Sequence, residues 1–190
     1  RYNQWMNERL YAAAATLPEH AIAQPRGAFF GSLLGTLNHL VVADTLWLQR
    51  FAMHPAQYHA LTAIAAEPTP AALDALQAQT LAALQARRQA LDATIATWMT
   101  QLGAADLDVV LHYRNTRGDA HRRRFGDLLL HFFNHQTHHR GQATTLLSQA
   151  GVDMGATDLL VLIPQMEVEY GSVGAAGDAS DGRGSARAAQ

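Results

Sequence analysis

Cysteine is absent from all 190 residues, which excludes disulfides, thiolate-ligated metals and a cysteine nucleophile. Charge is sparse and balanced, 14 Lys+Arg against 16 Asp+Glu for a formal net charge of -2. Such a balance gives the surface as a whole no electrostatic grip on a phosphate backbone, so nucleic acid is not an expected partner. No apolar run reaches the roughly 18 residues that a membrane span requires, and no membrane partner is expected either. The sequence opens without a charged-then-apolar leader, which makes a cytoplasmic protein the expectation.

What is present reads as one folded unit. The chain is 48% hydrophobic and only 16% charged, a globular rather than a disordered composition. Its length suits one domain of about 150 residues with a tail. The domain is expected over residues 1–168. The stretch from 169 to 190 is rich in Gly, Ala and Ser without periodicity, and is expected to be a disordered tail.

Helical spacing recurs along the domain. Tyr2, Trp5, Met6, Leu10 and Leu17 predict a first helix ending at Pro18. From about Gly27 to Met53 apolar residues occupy most of the helix circumference, a pattern for a helix buried between neighbours or against a second subunit; it is the ground for expecting a homodimer. Leu73, Leu76, Leu84, Leu91, Ile95 and Trp98 predict a third long helix over 70–101. Val109, Leu111 and Tyr113 then alternate, and Arg117-Gly118-Asp119 is turn chemistry, so a short β-hairpin is expected. A fourth main helix should run from Phe125 to Ala150 and stop at Gly151, and a short helix is expected near 156–165. The fold class expected is all-α, a four-helix bundle with a short hairpin before the last main helix.

The chemistry concentrates in "HFFNHQTHHRGQ", where His131, His135, His138 and His139 interrupt an apolar helix. At about 100° per residue, Phe125, Leu128, Leu129, Phe132, Ala143, Leu146 and Leu147 form one stripe. His139 falls within that stripe and His135 at its edge, whereas His131 and His138 turn toward solvent. Two imidazoles at i and i+4 can reach one ion, so His135 and His139 are the candidate pair. A third ligand must come from another helix, and His39 is the histidine well inside the second one, although it lies on a face shared with Gly35, Val42 and Leu46, away from the main stripe. Asp44 falls in the middle of the second helix's main stripe of Leu33, Leu37, Leu40, Trp47 and Phe51, where a lone carboxylate is costly to bury; it needs a partner such as Arg140, or the metal site itself. It is the candidate for a general acid or base, or for a group that orients a ligand histidine. A metalloprotease is excluded at one letter, because the glutamate of H-E-x-x-H is replaced by Gln136, which cannot take a proton.

Together "YNQWMNERLY", "LNHLVVADTLWLQRF", "NHQTHHRGQ" and "TDLLVLIP" resemble the DinB/YfiT-like family over most of residues 1–165. The resemblance implies a four-helix bundle, often a homodimer, that binds a divalent metal cation through His39, His135 and His139; imidazole ligands suit zinc, nickel, copper or iron, of which zinc or nickel is the expectation. It implies a small-molecule substrate, with a low-molecular-weight thiol as the candidate, and two classes of function. One is a metal-dependent transferase or hydrolase, in which the metal lowers the pKa of a bound ligand. The other is a non-enzymatic metal-binding or stress-response module. His20, His54 and His59 sit near helix ends or in linkers and are expected to be bystanders. Arg117, Arg122, Arg123 and Arg124 with His121 form a basic cluster, read either as a solvated hairpin edge or as a meeting place for an anion.

Overall fold

The computed structural model describes residues 1–166; the expected tail lies outside the described residues. In chain order the helices are α1 (Tyr2–Ala14), α2 (Glu19–Ala23), α3 (Leu33–Phe51), α4 (Thr62–Ala65), α5 (Leu81–Met99) and α6 (Phe125–Gln149). Strands β1 (Val110–Arg114) and β2 (Ala120–Arg124) precede α6. The long helices α1 and α3 each pack on both α5 and α6, which closes a four-helix bundle. No described helix is long and apolar enough to cross a membrane.

The apolar faces meet in a core led by Trp98, Phe51, Phe125 and Phe132. The Phe51 ring lies 5.2 Å from Trp98, 5.3 Å from Phe125 and 5.6 Å from Phe132, so one residue of α3 ties α5 and α6 together. The expected hairpin is present as an antiparallel pair with Tyr113 opposite His121. Its turn is set by the Asn115 side chain, which accepts from the backbone N–H groups of Arg117 and Asp119, and by Gly118 at φ +87°. The last main helix ends as expected, with Gly151 at φ +82° just beyond it. Near the C-terminal end of the described chain the expected short helix is one 3-10 turn, Leu159–Leu162.

One expectation needs correction. The helix over 70–101 begins only at Leu81, where the Thr80 side chain accepts from Ala83 N–H at 3.3 Å. Residues 70–80 are held otherwise: buried Asn38 accepts from the N–H groups of Gln77 (2.6 Å) and Ala78 (3.1 Å) and donates to the Ala78 carbonyl (3.1 Å). A tertiary capture of backbone groups thus outweighs local helical spacing, and Leu73 and Leu76 are left exposed. Of the two surroundings expected for the second helix, neighbours of the same chain are what α3 meets: its apolar faces are covered by α2, α4, α5 and α6. Its all-round burial is met without a second subunit.

A polar layer crosses the bundle. Asp44 of α3 pairs with Arg88 of α5 at 2.5 Å, and Arg88 with Asp92 one turn on at 3.0 Å; all three are almost wholly buried. Asn7 of α1 donates to both Asp92 oxygens, at 2.9 and 3.1 Å. Arg140 of α6 donates to Asn3 and, at 3.4 Å, to Asn7. Four helices are thereby fixed in register by charges that cannot be left single in the core.

Candidate metal centre

The sequence of α3 begins with Ser32, whose hydroxyl accepts from Gly35 N–H at 3.1 Å and caps the helix. Two turns further, His39 projects toward α6 rather than toward solvent. Its Nε2 lies 3.2 Å from His139 Nε2, and His139 Nε2 lies 3.1 Å from His135 Nε2. The ligand atoms of His39, His135 and His139 all fall within 4.8 Å of one another. The three histidines expected from the sequence are therefore brought together. His39 and His139 are buried and His135 is half-buried.

The far nitrogens decide which atoms remain free. His39 Nδ1 lies 2.8 Å from the Leu73 carbonyl, which only accepts, so Nδ1 carries the proton and donates. His139 Nδ1 lies 2.8 Å from Gln142 Oε1 and likewise donates. In a neutral ring that leaves Nε2 as a lone pair, and two lone pairs then face each other across 3.2 Å. That contact is repulsive unless a cation stands between them. Nitrogens about 2.0–2.1 Å from one zinc ion and about 100–110° apart are about 3.1–3.4 Å from each other, so the donor set fits a divalent ion.

Burial, the largest effect on each ring, lowers the pKa of all three histidines. It takes His39 to about 4 and His135 to about 3, with the neighbouring imidazoles His139 and His39 adding to the depression at His135. His139 is lowered for the same first reason, with Gln142 opposing it. Neutral imidazoles are the form that ligates metal, so no proton need be displaced near pH 7.

Three neighbours hold the group in place. The Phe30 ring stacks on His39 at 3.8 Å and 16°. Phe30 can lie so close because of Gly35: a Cβ there would stand 2.0 Å from the Phe30 carbonyl oxygen. Leu73 supplies its carbonyl from the loop that Asn38 captures. The sequence reading missed Phe30, Gly35, Leu73 and Gln142. Only Gln142 left a signal, three residues after His139 and hence on the same helix face.

The other candidates lie elsewhere. His138 is exposed, with its Nε2 3.3 Å from Gln142 Nε2, and His131 is exposed with its ring 5.1 Å from Trp47. Both agree with the outward direction read from the wheel. His54, expected to be a bystander, is buried, stacked on Tyr58 and in tilted contact with Phe125. Asp44 is engaged by Arg88 rather than by Arg140, and it does not join the three histidines.

A helical bundle that gathers three imidazoles from two facing helices defines the class to which this fold and site belong. The chain belongs to the DinB family, whose model matches residues 1–168. It is similar to Protein DinB of Bacillus subtilis (strain 168), with 27% identity over 158 residues, covering 83% of this chain and 87% of that protein. No solved structure matches the chain.

Proposed function

We propose that the protein holds one divalent metal ion, zinc or nickel, through His39, His135 and His139, and that it acts as a cytoplasmic metal-dependent transferase or hydrolase on a small molecule, with a low-molecular-weight thiol as the candidate partner. The observation that carries this reading is the convergence of three imidazoles, with His139 Nε2 3.1 Å from His135 Nε2 and 3.2 Å from His39 Nε2 and all ligand atoms within 4.8 Å, while Nδ1 of two rings is already committed to acceptors. A bound ion supplies Lewis acidity, lowering the pKa of a water or thiol near neutral pH. The chain does the rest. His39 and His139 are kept in one tautomer by Leu73 and Gln142, Phe30 covers one face of the His39 ring, and half-buried His135 stands at the solvent side.

A second reading, metal binding without turnover as in a stress-response module, is favoured by one observation. Asp44, the acid or base candidate, is locked against Arg88. A homodimer also belongs to the proposal. Its support comes from the exposed apolar residues Leu159 to Ile163 and Met166 rather than from α3.

The test is elemental analysis of protein expressed with added metal, followed by a screen of thiols against electrophilic acceptors. About one ion per chain with metal-dependent conjugation is expected. One ion per chain with no turnover of any acceptor would establish the second reading, and no ion at all would overturn both. Light scattering at micromolar concentration should give the mass of a dimer.

A further inference from the structure

Beyond the three histidines, a cavity of about 860 Å³ lies between the C-terminal half of α3, the loop around Pro70 and the hairpin. No acidic residue lines it, whereas Arg50, His112, Arg114, His121 and Arg122 do. Strand alternation turns Tyr113 and His121, cross-strand neighbours, to the same face of the hairpin, and their rings stack at 5.5 Å. Leu46, Met53 and Pro70 give the cavity apolar wall.

Arg50 is the unusual member. Its guanidinium lies 4.7 Å over the Trp47 ring and 5.5 Å over Tyr113. Aromatic faces on its flat sides orient the fork without using its N–H edges. Among the described residues Arg50 has no ion-pair partner and donates no hydrogen bond, although it is half-buried. Elsewhere in the protein the buried guanidiniums are matched: Arg88 by two carboxylates, Arg140 by two asparagines. A fixed, planar, unpaired fork at the wall of an acid-free cavity is the arrangement that binds a planar anion through two parallel hydrogen bonds.

We propose that this cavity is a binding site for a small organic carboxylate with a flat apolar body, its carboxylate seated on Arg50 and its body against Leu46, Met53 and Pro70. The site is separate from the histidine group. Arg50 follows His39 by 11 residues on α3, a rise of about 16 Å, so a ligand of benzoate size cannot touch both. The proposal does not depend on a metal being bound.

The experiment is calorimetric titration of the full chain, after chelation, with benzoate, neutral benzamide and inorganic phosphate. Benzoate should saturate below about 10 mM, a modest affinity in keeping with one charged anchor. Benzamide and phosphate should each bind at least tenfold more weakly, the first for want of charge and the second for want of apolar contact. Arg50→Gln should lose at least tenfold in benzoate affinity. Should that variant fail to fold, Ala71→Glu tests the same point from an exposed loop position on the cavity wall, where an added carboxylate should weaken benzoate at least fivefold. No saturation by benzoate, phosphate as tight as benzoate, or unchanged affinity in folded Arg50→Gln or Ala71→Glu would each overturn the proposal.

Discussion

His39 and His139 stand 100 residues apart in the chain and 3.2 Å apart at Nε2, with the opposite nitrogen of each ring held 2.8 Å from an oxygen acceptor. The arrangement needs α3 and α6 to keep a fixed register, and the buried layer of Asp44, Arg88, Asp92, Asn7 and Arg140 is what fixes it. Site and scaffold are thus connected through α3: the same helix carries His39 on one face and, five residues later, Asp44 on another.

Asp44→Ala should expose that connection. It would leave Arg88 charged in the core with Asp92 alone, and breaking a buried pair from one side costs about 3–5 kcal/mol. Urea unfolding should show that loss. A change within 0.5 kcal/mol would mean that the layer has no role in holding the bundle together.

Much of this was legible in the sequence, and the failures have physical causes. The wheel separated His135 and His139 from His131 and His138 because a 25-residue helix keeps its phase. It left Asp44 with the wrong partner. Yet Arg88 and Asp92 fall on the stripe of Leu84, Leu91 and Ile95, and two charges inside one apolar stripe were a readable sign that a third charge faced them. Leu73 and Phe30 were not readable. They reach His39 from loops whose paths are set by tertiary contacts, the Asn38 bonds in one case and the bare face of Gly35 in the other.

Gly35 should tolerate no side chain. A Cβ placed 2.0 Å from the Phe30 carbonyl must displace the loop and lift the Phe30 ring from His39. Gly35→Ala is expected to lower stability by about 1–3 kcal/mol, the usual cost of overpacking. Gly141→Ala is the control, since nothing lies within 4 Å of a Cβ there; in a helix interior it should raise stability by about 0.5–1 kcal/mol. Thermal melts of the two variants should move in opposite directions.

Acid should weaken the metal-free protein through the same histidines. Burial holds His39 at about 4 and His135 at about 3, below the usual imidazole value of 6.5. The unfolded chain therefore takes up these protons first as pH falls. Stability contributed by the neutral rings is complete above pH 6.5 and is lost progressively toward pH 4 and then 3. Melting temperatures of chelator-treated protein should fall over that window, and the fall should be shallower in the double variant His39→Ala, His135→Ala. Identical slopes would show that other groups govern the acid limb.

The last prediction separates ligands from neighbours. His131 precedes His135 by four residues and so offers a rival pair at the same spacing, but its ring packs on Trp47 and it is exposed. His138 adjoins His139 in sequence, but its nitrogens do not join the converging ligand atoms. Its ring meets the His139 ring edge-on at 4.8 Å, and its Nε2 lies 3.3 Å from Gln142 Nε2, the amide whose oxygen orients His139. Three grades of effect follow. Replacing His39, His135 or His139 by Ala removes a donor atom and should cost several orders of magnitude in zinc affinity. Gln142→Ala leaves the donors in place but frees the His139 ring, a loss expected at about 10–100-fold. His131→Ala and His138→Ala should change affinity less than threefold, because neither removes a donor nor an acceptor of a donor's N–H. Competitive zinc titration of the six variants against a chromophoric chelator reads all three grades at once. A loss at His131 as large as that at His139 would place the ion one turn nearer the hairpin and overturn the assignment of His39, whose Nε2 faces His139.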